Sequence, residues 1–286
     1  MAMTLTHRIA HFTDTHIPDE GLLYGAIDSF GQLQRGLAAA AESDPPVSAL
    51  LFTGDLADLG QPAAYARMRS AIDPVAEQLG IPAIFGIGNH DDHAAFRAGL
   101  LGGEPTGDLV DYVTEVDGVR IVMLDSTSSG HHGEVTPAQL DWLRGVLAEP
   151  APRGTVLTLH HPPLNWPDVT SPLNGDHTRA EAAGIGDPGP LADVVRGTDV
   201  RVVLSGHLHD IRSGVLGGVP VWAGASMANA LQVGETTFYA LVASRMSFVD
   251  LYDDGTVVTS TLDLAPPPVA KEMTYGELIA HYSVAQ

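Results

Sequence analysis

The chain has no cysteine among its 286 residues, which excludes a disulfide framework and any thiolate metal site. A bound metal would therefore be held by nitrogen and oxygen donors. Positive charge is also scarce: 14 Lys and Arg stand against 35 Asp and Glu, a net charge of −21. Such a surface repels polyanions, so neither a nucleic acid polymer nor an anionic membrane is the expected partner. No apolar run is long enough for a membrane span, nor, between Met1 and Phe12, for a signal peptide. A cytoplasmic protein with no membrane attachment is the expectation.

What is present suits a packed core joined by many turns: 44% hydrophobic residues, 31 Gly and 20 Pro. Short β-branched runs alternate with longer amphipathic stretches, the pattern of βα units in an α/β protein. Strands are expected at Arg8–Thr13, Ala49–Thr53, Ala83–Ile87, Val119–Leu124, Thr155–Leu159 and Arg201–Leu204. Four more are expected at Val219–Ala223, Thr237–Ala243, Phe248–Tyr252 and Thr256–Leu262, the last two joined by the turn Asp253-Asp254-Gly255. Helical patterns fall at Tyr24–Ala41, Pro62–Leu79, Asp92–Leu100, Pro137–Ala148 and Pro190–Arg196. Pro62, Pro137 and Pro190 stand where a first helical turn begins, and Gly80 where the second helix stops. Leu164–Pro190 reads as a long loop, either a lid or a surface excursion. Residues 1–264 are expected to form one catalytic domain, and 265–286 a tail with a short helix over Glu272–Ala285.

Five of these strands run directly into polar clusters. They are Asp14-Thr15-His16, Gly54-Asp55-Leu56-Ala57-Asp58, Gly88-Asn89-His90-Asp91, His160-His161-Pro162-Pro163 and Gly206-His207-Leu208-His209. Ligands of α/β sheets bind beyond the carboxyl ends of the strands, so the clusters should meet in one crevice. Carboxylate, imidazole and amide oxygen together suit borderline to hard divalent metals. Each piece alone has a plainer reading. Asp14-x-His16 fits a turn, Asp55 or Asp58 a helix N-cap, and Gly88-Asn89 a tight turn. It is their joint placement that points to a metal centre.

In that order the clusters resemble the calcineurin-like metallophosphoesterases: Asp-x-His, Gly-Asp-x-x-Asp, Gly-Asn-His-Asp, a later His, and Gly-His-x-His. The resemblance spans Arg8 to His209. Within the superfamily the tracts Leu23-Tyr24-Gly25-Ala26 and Gly88-Asn89-His90-Asp91-Asp92 look like bacterial class III cyclic-nucleotide phosphodiesterases. The resemblance implies a four-layer α/β/β/α sandwich with two metal ions at the strand ends. One ion would be held by Asp14, His16, Asp55 and His209; the other by Asp55, Asn89, His160 and His207, with Asp55 bridging. Iron and manganese are the expected metals, with zinc or cobalt as alternatives.

The implied reaction is hydrolysis of a phosphodiester by a hydroxide shared between metals about 3.5–4 Å apart. The implied substrate is a small molecule, a 3′,5′-cyclic nucleotide such as cAMP opened to its 5′-monophosphate. Asn89 would stabilise charge on phosphate oxygens, and His90 would protonate the leaving alkoxide or orient its own turn. Asp58 reads either as the carboxylate that orients a metal-bound histidine or as a helix cap. His161 is expected to point away from the site, and His131 and His132 to line its mouth. His7, His11, His93, His177 and His281 receive no role. A glycerophosphodiesterase or broad phosphodiesterase is the alternative within this chemistry, and a non-catalytic scaffold the alternative outside it. A metallo-β-lactamase-type site is disfavoured, because His207-Leu208-His209-Asp210 is too short for its motif. A homodimer is compatible with all of these readings.

Overall fold

A strand buried along its whole length needs cover on both faces. The run Ala49–Thr53, buried at every position, meets that need by lying between a helical layer and a second sheet. The computed structural model describes residues 3–127, 133–164, 184–233 and 238–265. Its helices are α1 (Ser29–Ala41), α2 (Pro62–Leu79), α3 (His93–Phe96), α4 (Pro137–Val146) and α5 (Gly189–Val195). The first strands are β1 (Leu5–Phe12), β2 (Ala49–Thr53), β3 (Ala83–Gly86), β4 (Tyr112–Val116), β5 (Val119–Met123), β6 (Thr155–Thr158) and β7 (Val200–Ser205). The others are β8 (Arg212–Leu216), β9 (Val219–Ala223), β10 (Ala230–Val233), β11 (Phe238–Leu241), β12 (Arg245–Tyr252) and β13 (Val257–Asp263).

One sheet has the order β13-β12-β1-β2-β3 and the other β4-β5-β6-β7-β9-β8, while β10 and β11 form a separate hairpin. Three apolar clusters define the layers. Ile9, Leu51, Ile84, Ile121, Val156 and Val202 pack between the sheets. Alternate residues of the same strands face outwards, as the period of two requires. Phe12, Leu50 and Phe52 thus meet Leu33 and Leu37 of α1 and Met68 and Ile72 of α2. On the far side Val122, Leu157 and Val203 meet Leu140 and Leu143 of α4 and Leu191 of α5. The result is the α/β/β/α sandwich. Strands β1, β2 and β3 are parallel, as are β5, β6, β7 and β9, so each set delivers its carboxyl ends to one edge.

Helix α2 has the bounds expected of it, with Pro62 first and Gly80 at φ 66° ending it. Helix α1 is shorter than the pattern suggests. Tyr24 and Gly25 have positive φ, and the Asp28 carboxylate accepts from the Gly31 N–H at 2.9 Å to start the helix at Ser29. The pattern over Asp92–Leu100 resolves into one α turn, capped by Asp92, and a π turn over Arg97–Leu101. Strands β4 and β8 are not apparent as apolar runs, because as edge strands they expose alternate residues. Residues 165–183 of the long loop and 266–286 of the tail, with His131, His132, His177 and His281, lie outside the described residues. Among the described residues no helix is long and apolar enough to cross a membrane.

Candidate metal centre

Each of the five parallel strands stops one or more residues before its polar cluster, and the chain then turns sharply. Asp14, His16, Asp55, His207 and His209 all have positive φ, between 41° and 71°. Asp and His tolerate this left-handed region better than most residues, though at some strain. The backbone of one cluster holds the next. Asp14 N–H donates to the Gly54 carbonyl at 3.0 Å, His16 N–H to Asp55 at 3.0 Å, and Gly206 N–H to His160 at 3.0 Å. Two glycines permit this proximity: a Cβ on Gly88 would overlap the Asp55 backbone, and one on Gly206 the Thr13 hydroxyl and Asp14 carboxylate.

The turns bring the side chains together inside the protein. Asp14, His16, Asp55 and His160 are at most 2% exposed, and His209 is 5% exposed. His16 Nε2 faces His209 Nε2 at 3.0 Å. Asp14 Oδ1 lies 3.6 Å from His209 Nε2, and Asp55 Oδ2 lies 3.7 Å from His16 Nε2 and 3.2 Å from His160 Nε2. Three groups have one ligand atom per residue within 4.8 Å of the others: Asp14, His16 and His209; His16, Asp55 and His90; and Asp55, His160 and His207.

The imidazoles are oriented from behind. His160 Nδ1 donates to the Thr53 carbonyl and His209 Nδ1 to the Asn229 carbonyl, each at 2.9 Å. A carbonyl only accepts, so both rings direct Nε2 at the centre. Asp58 Oδ1 stands 3.5 Å from His16 Nδ1. It does not cap α2, whose N-cap is Gln61. His90 Nδ1 donates to the Asp58 carbonyl at 2.8 Å, and its ring meets that of His16 edge-on at 4.6 Å. The carboxylates are held by amides: His207 N–H donates to Asp14 at 3.0 Å and His90 N–H to Asp55 at 2.8 Å. Thr13 Oγ1 adds a bond to Asp14 at 2.8 Å.

Burial raises the pKa of Asp14, with the Asp55 charge adding to it and His160 and His16 opposing. For Asp55 burial acts upwards too, but His160 and His16 outweigh it and hold the carboxyl well below its usual range. Burial opposes the His160 cation, yet Asp55 and Asp14 push its pKa up to about 9. Burial, then His16, push His209 down. Without a metal, protons and histidine charge offset the buried carboxylates. A divalent ion can replace those protons, because carboxylate and neutral imidazole are its ligands. Facing nitrogens with shared carboxylates are chemically suited to that exchange.

Two residues have positions that the sequence did not disclose. The His161 ring does not point away: it is fully buried, 4.4 Å from the His207 ring, with Nδ1 2.9 Å from Ser126 Oγ. Adjacent residues diverge only on extended backbone, and the chain has already left β6 at this point. Asp91, which received no role, accepts from Ala57 N–H at 2.9 Å, Gly88 N–H at 3.0 Å and Tyr65 Oη at 3.0 Å. Its place beside Asn89 and His90 was the only signal available.

A two-sheet sandwich with histidine–carboxylate clusters at the joined strand ends is the framework of a metal-dependent hydrolase. Residues 7–210 match the family model for calcineurin-like phosphoesterases, and the chain belongs to that family. It is 43% identical over 276 residues to a probable cyclic nucleotide phosphodiesterase of Rhodococcus erythropolis, covering 95% of this chain and 86% of the relative. A cAMP/cGMP dual specificity phosphodiesterase of Mycobacterium tuberculosis is 40% identical over 265 residues, covering 90% of this chain and 79% of the relative. Among solved structures, a dimetal phosphatase from Danio rerio shares the fold with a TM-score of 0.56 at 14% identity, covering 90% of this chain and 99% of that one.

Proposed function

We propose that the protein hydrolyses a small phosphodiester, namely a 3′,5′-cyclic nucleotide such as cAMP, to its 5′-monophosphate. The observation that carries this reading is the pair of ligand groups meeting at Asp55: one with His16 and His90, the other with His160 and His207. In this reading Asp14, His16, Asp55 and His209 hold one metal, and Asp55, Asn89, His160 and His207 the other. Iron and manganese fit the mixed O/N donors, as do zinc and cobalt. Bound there, two ions supply Lewis-acid charge for the phosphoryl oxygens and lower the pKa of the attacking water.

The chain's own groups do the rest. The oxygen of a water that gives up a proton to solvent bonds to phosphorus as the P–O3′ bond breaks, and the departing O3′ takes a proton from His90, which solvent restores. The hydrogen bond to the Asp58 carbonyl fixes one His90 proton at Nδ1, so the transferred proton is carried at Nε2. The Asn89 amide supports charge on the non-bridging oxygens. Asp58 is a positioning residue that orients His16. Every residue invoked lies within 1–264, and the relatives' names favour the cyclic-nucleotide substrate.

Metal analysis and a substrate panel test the reading together. The expected result is about two metals per chain and a kcat/KM for cAMP or cGMP at least tenfold above that for a glycerophosphodiester. The reverse preference would favour a glycerophosphodiesterase. Protein with no stoichiometric metal and no diesterase activity would favour a scaffold.

A further inference from the structure

Tyr24 combines three properties rarely found together. It is 58% exposed, it is aromatic, and its φ is 52°, a conformation that glycine takes freely and bulky side chains avoid. Its surroundings keep it there. The loop after β1 leaves at Ile17, which bridges to Ala57, and returns at Ser29, whose Oγ donates to the His16 carbonyl at 3.1 Å. Both ends are thus fixed beside the candidate metal centre. Between them, Arg67 Nη1 donates to the carbonyls of Pro18 at 3.1 Å and Gly21 at 3.3 Å, while its guanidinium lies 4.4 Å over the Phe30 ring. Leu23 and Ile27 exchange two backbone bonds of 2.9 Å and are buried with Ala228, next to the Asn229 carbonyl that orients His209.

The loop, anchored at both ends, therefore buries Leu23 and Ile27 and displays Tyr24. Leu59, which directly follows Asp58, is likewise exposed, at 70%. The phenol is within electrostatic reach of the centre: partial burial, then the charges of Asp58 and Asp55, raise its pKa. Strain that the surroundings maintain at an exposed side chain points to use of that side chain, since the core gains little from it. A flat, exposed ring offers a ligand a stacking face beside its hydroxyl, and base–aromatic stacking suits any nucleobase.

We propose that Tyr24 is a specificity-determining residue, the platform on which the base of a cyclic nucleotide stacks while its phosphodiester lies over the histidine–carboxylate clusters. The proposal rests on the cyclic-nucleotide reading above. It is tested by steady-state kinetics of the Mn²⁺-loaded full chain on cAMP and on base-free ribose 3′,5′-cyclic phosphate. In Tyr24→Ala, KM for cAMP should rise roughly tenfold more than KM for the base-free substrate. Tyr24→Phe, which keeps the ring, should restore the wild-type ratio. Equal changes on both substrates, or a ratio that Phe does not restore, overturn the proposal and leave the cyclic-nucleotide reading intact. A wild-type chain that hydrolyses neither cyclic phosphate overturns both.

Discussion

His90 and Asp55 are one hydrogen bond apart, yet their losses should differ. The bond to Asp55 comes from the His90 backbone N–H, which an alanine retains. His90→Ala should therefore keep both metals while kcat on cAMP falls by about 10²–10⁴. The fall should be much smaller for bis(p-nitrophenyl) phosphate, whose leaving group needs no proton. Metal content and the two rate constants check this, and loss of metal would make His90 a ligand instead. His11 gives a prediction of a different kind. It is 1% exposed, bonded to Thr53 Oγ1 at 2.8 Å, and burial lowers its pKa to about 3. The unfolded chain protonates this ring near pH 6.5 and the folded chain only near pH 3, so stability falls as pH drops between those values. At pH 4.5 the loss from this group is about 2–3 kcal/mol relative to pH 7.5. Urea unfolding of metal-free protein at both pH values should show a smaller pH effect in His11→Asn than in the parent.

At the scale of elements, the centre depends on how loops are tied together. The Asp91 carboxylate joins the turn after β3 to the loop after β2 and to α2, its donors being the N–H groups of Gly88 and Ala57 and the Tyr65 hydroxyl. Asp91→Ala removes these bonds, and each bond to a charged acceptor contributes about 1.5–3 kcal/mol. Thermal unfolding should therefore shift down by several degrees, and kcat should fall with it, because Asn89 and His90 lose their anchor. Unchanged activity with lowered stability would separate the turn from catalysis. The same elements show what a sequence discloses. β2 and α2 are legible because fully buried strands and proline- and glycine-bounded helices mark their own limits. The metal-type residues are legible because strand ends gather them. The left-handed backbone at Asp14, Asp55 and His209 is not legible, since Asp and His give no local sign that neighbouring loops will impose it. The inward His161 ring escapes notice for the same reason.

For the whole molecule, what is hidden is the order of strands. β12 pairs with β1 across almost the full chain, setting Asp250 against Arg8 with an ion pair of 2.7 Å, and no local pattern announces such a partner. The three apolar clusters that hold the layers together include none of Asp14, His16, Asp55, His160, His207 and His209. Metal and core are therefore separate sources of stability. Ligands bound only by the native state stabilise it by about 2.7 kcal/mol at a hundredfold excess over Kd. Chelation should thus lower Tm by roughly 5–10 °C for a chain of this size. It should not unfold the protein at 25 °C, since the cores persist and protonation of His160 offsets the buried carboxylate charge. Amide exchange should accelerate at residues 13–16, 54–58 and 206–209 while β2 and β6 stay protected. Loss of far-UV circular dichroism on chelation at 25 °C would show instead that the metals, not the apolar layers, hold the two sheets face to face.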